Sequence, residues 1–128
     1  MAKFRIRVAV VDDDASVRRA LGRLLRTAGF DVETFGSGAE LLQALSRFNP
    51  DCIILDLHMQ EMNGLDVQRH LARIGSPAPV IIITGHDDSK ARSEAIALGA
   101  SAYLAKPIEE NLLVTTIEQA VASIKSCA

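Results

Sequence analysis

Residues 51–64 read D-C-I-I-L-D-L-H-M-Q-E-M-N-G. The run Cys52-Ile53-Ile54-Leu55 is continuously apolar, the pattern of a strand buried on both faces. A single acid, Asp56, follows it directly. A loop over 57–63 comes next, and Gly64 opens a new helical pattern. A carboxylate placed where a buried strand reaches the surface has a fixed backbone and one exposed tip. Asp56 is therefore the candidate chemical centre, with the rest of the chain supplying its surroundings.

Working outward, residues 6–11 (I-R-V-A-V-V) form a second apolar run, which ends in three acids, Asp12, Asp13 and Asp14. Asp14 or Ser16 can cap the helix that follows. There Val17, Leu21, Leu24, Leu25 and Ala28 share one face, and Gly29 is a natural stop. Residues 31–35 alternate as a short half-exposed strand. Ser37 can cap a helix over 39–48, which Asn49-Pro50 breaks. A helix over 64–74 follows the central strand. Residues 80–83 are a third fully apolar strand, ending at Thr84-Gly85-His86. An alanine-rich helix over 89–98 is closed by Gly99. Residues 102–105 are a short strand leading into Lys106-Pro107. A last helix starts near Glu109 and Glu110, whose charge favours its N-terminus, and runs to about 125.

The elements alternate as (βα)5. Continuous apolar strands alternating with helices predict an α/β fold, a doubly wound parallel sheet with helices on both faces. Right-handed crossovers leave two usual strand orders, the Rossmann order and the flavodoxin-like order 2-1-3-4-5. The length, 128 residues, suits one domain with one core. Hydrophobic residues make up 48%, charged residues 23%, and the net charge is −2, which excludes a nucleic-acid sponge and an acidic tail. Of the 14 Lys and Arg, seven fall in the first 26 residues: Lys3, Arg5, Arg7, Arg18, Arg19, Arg23 and Arg26. A solvated helix face accounts for them more simply than a dock for an acidic partner. Cys52 and Cys127 have neither metal-ligand spacing nor a disulfide framework; Cys52 reads as core packing, and the pair suits a reducing cytoplasm. No apolar stretch reaches membrane-spanning length, and no signal peptide is present, so the expectation is a cytoplasmic protein with no membrane partner.

Ligands of open parallel sheets bind outside the carboxyl ends of the strands. The first strand places Asp12 and Asp13 there, the third Asp56, the fourth Thr84, the fifth Lys106. In the order 2-1-3-4-5 the first and third strands are neighbours, roughly 4.8 Å apart. Lys106 starts two strands from Asp56, roughly 10 Å away, a gap its stem can span. Three carboxylates in one crevice repel one another unless a cation is present. Oxygen ligands without His or Cys favour a hard ion, and Mg²⁺ fits best. Lys106 offers a point charge for phosphate, Thr84 a hydroxyl, and Gly85 an accessible backbone N–H. Such a set supports phosphoryl transfer onto a carboxylate. An acid at a strand end can also be just a helix cap, which covers Asp14 fully and Asp12 in part; the signal lies in joint occurrence.

Five stretches carry a resemblance: V-V-D-D-D at 10–14, L-D-L-H-M at 55–59, M-N-G at 62–64, I-T-G-H at 83–86 and Y-L-A-K-P at 103–107. Together they resemble the receiver domain of bacterial two-component response regulators, over essentially residues 6–124. The V-D-D-D-A-S-V-R-R-A-L and I-T-G-H segments are most similar to FixJ/NarL-type transcriptional regulators. The resemblance implies that Asp56 is the phosphoacceptor, supplied by a sensor histidine kinase. It implies Mg²⁺ held by Asp12, Asp13, Asp56 and the His58 backbone carbonyl, with Thr84 and Lys106 on the phosphoryl oxygens. Tyr103 becomes a switch aromatic that moves inward as Thr84 shifts, and Lys106–Pro107 a cis bond. The fourth helix, fifth strand and fifth helix become the face that changes and forms a homodimer on phosphorylation. The output is a signalling switch, limited to self-catalysed phosphotransfer and autodephosphorylation, that controls a DNA-binding effector.

The chain departs from the family pattern at Gln60, where proline is usual, and at Gly85, where Ala or Ser is commoner. His58 and His86 fill the two variable positions flanking the phosphoryl site, positions that set phosphate lifetime in the family. Residues 1–128 read as a single receiver domain with any effector outside them, either excised from a longer regulator or a natural single-domain phosphorelay regulator. Two rivals remain: a phosphohydrolase passing through aspartyl phosphate, whose Asp-x-Asp pattern is disfavoured by His58, and a phosphorylation-independent interaction module, disfavoured by the intact acids.

Overall fold

The computed structural model describes residues 5–126; Lys3 and Cys127 lie outside the described residues. Ten elements alternate along the chain: β1 (Arg7–Val11), α1 (Ala15–Thr27), β2 (Asp31–Phe35), α2 (Gly38–Ala44), β3 (Cys52–Asp56), α3 (Gly64–Arg73), β4 (Val80–Thr84), α4 (Ser89–Ala97), β5 (Ala102–Ala105) and α5 (Glu110–Ser126). All strand pairs are parallel, in the order β2-β1-β3-β4-β5. This is the expected flavodoxin-like α/β architecture; the Rossmann order is not adopted.

Strand residues point alternately to the two faces, and each face buries its own core. Val8, Val10, Ile54, Ile81 and Ile83 pack with Leu21 and Leu25 of α1 and Leu113, Ile117 and Val121 of α5. Ala9, Val11, Ile53, Leu55 and Ile82 pack on the other side with Leu41 of α2, Val67 and Leu71 of α3 and Ala95 of α4. β3 and β4 are buried along their whole lengths, which is why they carry no polar alternation. Cys52 belongs to this core as expected, and burial pushes its thiol up to about 12, leaving it protonated.

Helix boundaries follow local chemistry. Asp14 caps α1, its Oδ1 accepting from the Ser16 and Val17 N–H groups at 2.8 and 3.3 Å. Ser37 caps α2. Gly29 closes the α1 end at φ +100°, a conformation that only glycine takes without cost. The helix expected over 39–48 is shorter. Beyond Ala44 the N–H groups of Arg47 and Phe48 both return to the Ala44 carbonyl, and Phe48 folds back to a tilted contact with Phe35, ring centroids 6.4 Å apart. The turn leaves the Phe48 ring partly buried against the core rather than carried on by a further helical turn. Asn63 and Asp66 form a reciprocal capping box at α3, a signal the sequence carried in N-G-L-D.

α4 differs from its neighbours. Ala95 is its one fully buried residue, and Ile96 is 52% exposed. Polar ties from α3 hold it instead: Gln68 Nε2 donates to the Ala95 carbonyl at 3.2 Å, and Arg69 pairs with Glu94 at 2.8 Å.

Gly64 fixes the loop after β3. Its N–H donates to the Leu57 carbonyl at 3.0 Å, and a Cβ there would stand 2.8 Å from the Asp56 carbonyl oxygen and 3.1 Å from Leu57 Cα. Both obstacles are backbone, so neither can swing aside. Gly64→Ala is expected to cost about 1–3 kcal/mol by forced displacement of this loop. Urea unfolding measures it, and a midpoint equal to wild type would contradict this close approach.

Candidate functional site

The pocket lies where β1, β3, β4 and β5 end on the same side of the sheet. Backbone bonds continuing past the strands set its frame. Asp12 N–H donates to the Phe35 carbonyl at 3.1 Å, Leu57 N–H to Ile83 at 2.8 Å and Lys106 N–H to Thr84 at 2.7 Å. Asp56 and Thr84 are the last residues of β3 and β4 rather than the first beyond them. Their main chains are therefore as rigid as the sheet.

Asp12, Asp56 and Thr84 are buried, at 0%, 5% and 0% exposure, while Asp13 is exposed. Buried acids need partners. Lys106 supplies them: Nζ stands 2.9 Å from Asp12 Oδ2 and 3.3 Å from Asp56 Oδ1. Asp12 Oδ1 also accepts from Asp14 N–H at 2.9 Å, and Asp13 Oδ2 from Gln60 N–H at 3.2 Å. Burial pushes the Asp56 carboxyl above the ordinary range. The Asp12 charge adds to this, and the Lys106 charge opposes it. Burial works against the Lys106 ammonium, but hydrogen bonding to Asp12 and the charges of Asp56 and Asp12 outweigh it and hold its pKa above the usual value.

One oxygen each from Asp12, Asp13 and Asp56 lie within 4.8 Å of one another. Opposite ligands of a Mg²⁺ ion at about 2.1 Å stand about 4.2 Å apart, so a small closure would gather this all-oxygen set around one hard cation. The donor chemistry fits the group expected from the sequence.

The remaining predicted residues are placed as follows. Thr84 Oγ1 is turned into its own loop, donating to the His86 carbonyl at 2.9 Å and accepting from His86 N–H at 3.0 Å. Gly85 is exposed beside Lys106; a Cβ there would meet only Lys106 Cδ, at 3.8 Å, so space does not demand glycine. The rings of His58 and His86 are both exposed and meet edge to face, centroids 6.2 Å apart. Lys106–Pro107 is cis. Tyr103 packs against the α2–α3–α4 core. Its hydroxyl is buried with no hydrogen-bond partner among the described residues, and the Arg92 guanidinium lies 5.0 Å over its ring while pairing with Asp87 at 3.0 Å. Burial raises the Tyr103 pKa, with the nearby Asp88 backbone opposing it.

Four contributors escaped the sequence. Arg18 Nη1 donates to the Asp12 carbonyl at 2.8 Å and Arg26 Nη2 to the Val32 carbonyl at 3.3 Å, so two arginines expected on a solvated face tie α1 to the sheet. The Gln60 donor is a backbone N–H, which every residue but proline carries, so the sequence shows only that a donor is available there and not where it points. Arg92 carried only the signal of helical spacing.

The model of the response regulator receiver domain family matches residues 8–118. The chain is 40% identical over 114 residues to the response regulator protein TodT of Pseudomonas putida, an alignment covering 89% of this chain and 50% of TodT. It is 36% identical over 121 residues to the transcriptional regulatory protein FixJ of Bradyrhizobium diazoefficiens, covering 94% of this chain and 59% of FixJ. It thus spans about half the length of TodT. The crystal structure of a response regulator receiver protein from Burkholderia phymatum matches with a TM-score of 0.82 at 48% identity, covering 92% of this chain and 96% of that one.

The raised Asp56 pKa has a consequence for the metal-free protein. The folded state binds this proton more tightly than the unfolded state, so ionised Asp56 subtracts stability above its folded pKa, and the penalty is absent below the unfolded pKa. In chelator-treated buffer at neutral pH, Asp56→Asn is expected to raise the thermal midpoint. The gain should shrink as pH falls through the raised pKa. A lower midpoint for the variant at neutral pH would show that the Lys106 pairing outweighs burial and repulsion.

Proposed function

The chain belongs to the response regulator receiver domain family, and from that membership we propose that it is the phosphoacceptor module of a two-component regulator, with Asp56 receiving a phosphoryl group from the phosphohistidine of a sensor histidine kinase. The observation that carries this reading is the Lys106 ammonium held between Asp12 and Asp56, 3.3 Å from one oxygen of the carboxylate that would react. An Asp56 carboxylate oxygen attacks phosphorus, the phosphorus–nitrogen bond breaks, and the imidazole leaves with the electron pair. The product is an acyl phosphate. Lys106 exchanges its bond to Asp56 for a phosphoryl oxygen, and the buried setting strengthens that pairing.

Asp12, Asp13 and Asp56, with the His58 carbonyl, would hold Mg²⁺. When bound, the ion neutralises the acids and draws charge from the phosphoryl oxygens. Thr84 leaves the His86 carbonyl for the phosphoryl group, pulling the β4–α4 loop. Tyr103, whose ring already packs against the α2–α3–α4 core, is the aromatic that would answer this pull. The sparse apolar contact under α4 supports a face that shifts at small cost. His58, Gly85 and His86, which border the phosphoryl position, adjust the lifetime of the product.

The shifted face, α4–β5–α5, exposes Ile96 and Leu112 at 52% and 50%, apolar area suited to a phosphorylation-dependent homodimer. The whole protein is read as a transcription regulator whose DNA contacts belong to a further domain rather than to these residues, in line with the FixJ relative. From the family membership we assign the protein to the cytoplasm. No helix among the described residues is long and apolar enough to cross a membrane.

Acetyl phosphate with Mg²⁺, followed by intact mass, tests the chemistry. One phosphoryl adduct is expected, absent in Asp56→Asn. Lys106→Met should slow its formation on the order of 10²-fold, the usual effect of deleting one charge-stabilising donor. An adduct that survives in Asp56→Asn would overturn the assignment.

A further inference from the structure

Position 60 carries glutamine where receivers usually carry proline, and this exchange adds a donor to the pocket. Proline has no backbone N–H. The Gln60 N–H lies 3.2 Å from Asp13 Oδ2. We propose that Gln60 is a positioning residue whose backbone N–H holds the Asp13 carboxylate ready for the divalent ion; the inference rests on the metal reading above.

The three acids are not equally secured. Asp12 accepts from Asp14 N–H at one oxygen and from Lys106 at the other. Asp56 is the last residue of a strand, and Lys106 lies against it. Asp13 lies beyond the strand, is exposed, and its carboxylate has one hydrogen bond among the described residues, that from Gln60. A tight turn follows this donor. Met62 N–H donates to the Gln60 carbonyl at 2.7 Å, closing a three-residue turn across Glu61, which sits at φ +64° in the left-handed region. Gln60 is thereby fixed at its carbonyl by the turn and at its N–H by Asp13. A carboxylate oxygen that accepts one bond keeps a second lone pair, and Oδ1 has no hydrogen-bond partner among the described residues, so the contact leaves Asp13 able to ligate. Ordering a flexible ligand before the ion arrives removes that cost from binding.

Mg²⁺ titration by calorimetry on wild type, Gln60→Pro and Gln60→Ala tests this. Proline removes the N–H, and alanine keeps it while deleting the side chain. Gln60→Pro should weaken Mg²⁺ binding about 3- to 10-fold, the effect of losing one charge-assisted bond at an exposed site. Gln60→Ala should bind as wild type does. Equal affinity for all three overturns the inference while the metal site stands, and equal weakening in both variants overturns it by assigning the effect to the side chain. A wild-type protein that takes up no Mg²⁺ at millimolar concentration overturns the metal reading and this inference with it. Should Gln60→Pro fail to fold, amide exchange decides: in metal-free wild type the Gln60 N–H should exchange slowly, and Asp13→Ala should release it. A Gln60 amide that exchanges freely in wild type rejects the inference.

Discussion

The site is built on one electrostatic problem: two carboxylates, Asp12 and Asp56, are withdrawn from water beside each other, with a third, Asp13, at the rim. One ammonium answers it. Lys106 reaches across from the fifth strand to touch both buried acids. The balance is incomplete, since a single positive charge faces three negative ones. Burial first, and the neighbouring Asp12 charge after it, make the Asp56 carboxyl hold its proton more readily than usual. A pocket left short of positive charge attracts a cation, and the sheet fixes where that cation can sit.

The sheet performs this placement through strand order alone. β1 and β3 are neighbours, so the acids at their ends share a crevice. β4 and β5 follow, which brings Thr84 and Lys106 to the same side. The helices contribute little to the chemistry beyond covering the two faces, with the exception of α1, where Arg18 braces the Asp12 main chain.

Much of this was legible in the residues. Fully apolar strands alternating with amphipathic helices announce a doubly wound sheet, because only double-sided burial removes the polar alternation from 52–55 and 80–83. The strand ends could then be read off as a set of acids, a hydroxyl and a lysine. What escaped has a common cause. The early end of α2 depends on Phe48 finding Phe35 in space. The brace from Arg18 ends on a main-chain carbonyl, which every residue type possesses, and the donor at Gln60 is a main-chain N–H, which all but proline possess. The arginine over Tyr103 pairs positions 11 apart in sequence across two elements, a juxtaposition no local pattern encodes.

The manner in which α4 is attached has a consequence for its surroundings. Its neighbours are seated by apolar area, whereas α4 is moored by Arg69–Glu94, by Gln68 on a carbonyl and by Arg92 over an aromatic ring. Charge pairs at a wet surface are screened by dissolved ions, while buried hydrocarbon is not. Ionic strength therefore bears more on this helix than on those seated by hydrocarbon: rising electrolyte slackens its two charged moorings, while the neutral Gln68 bond and the buried Ala95 hold.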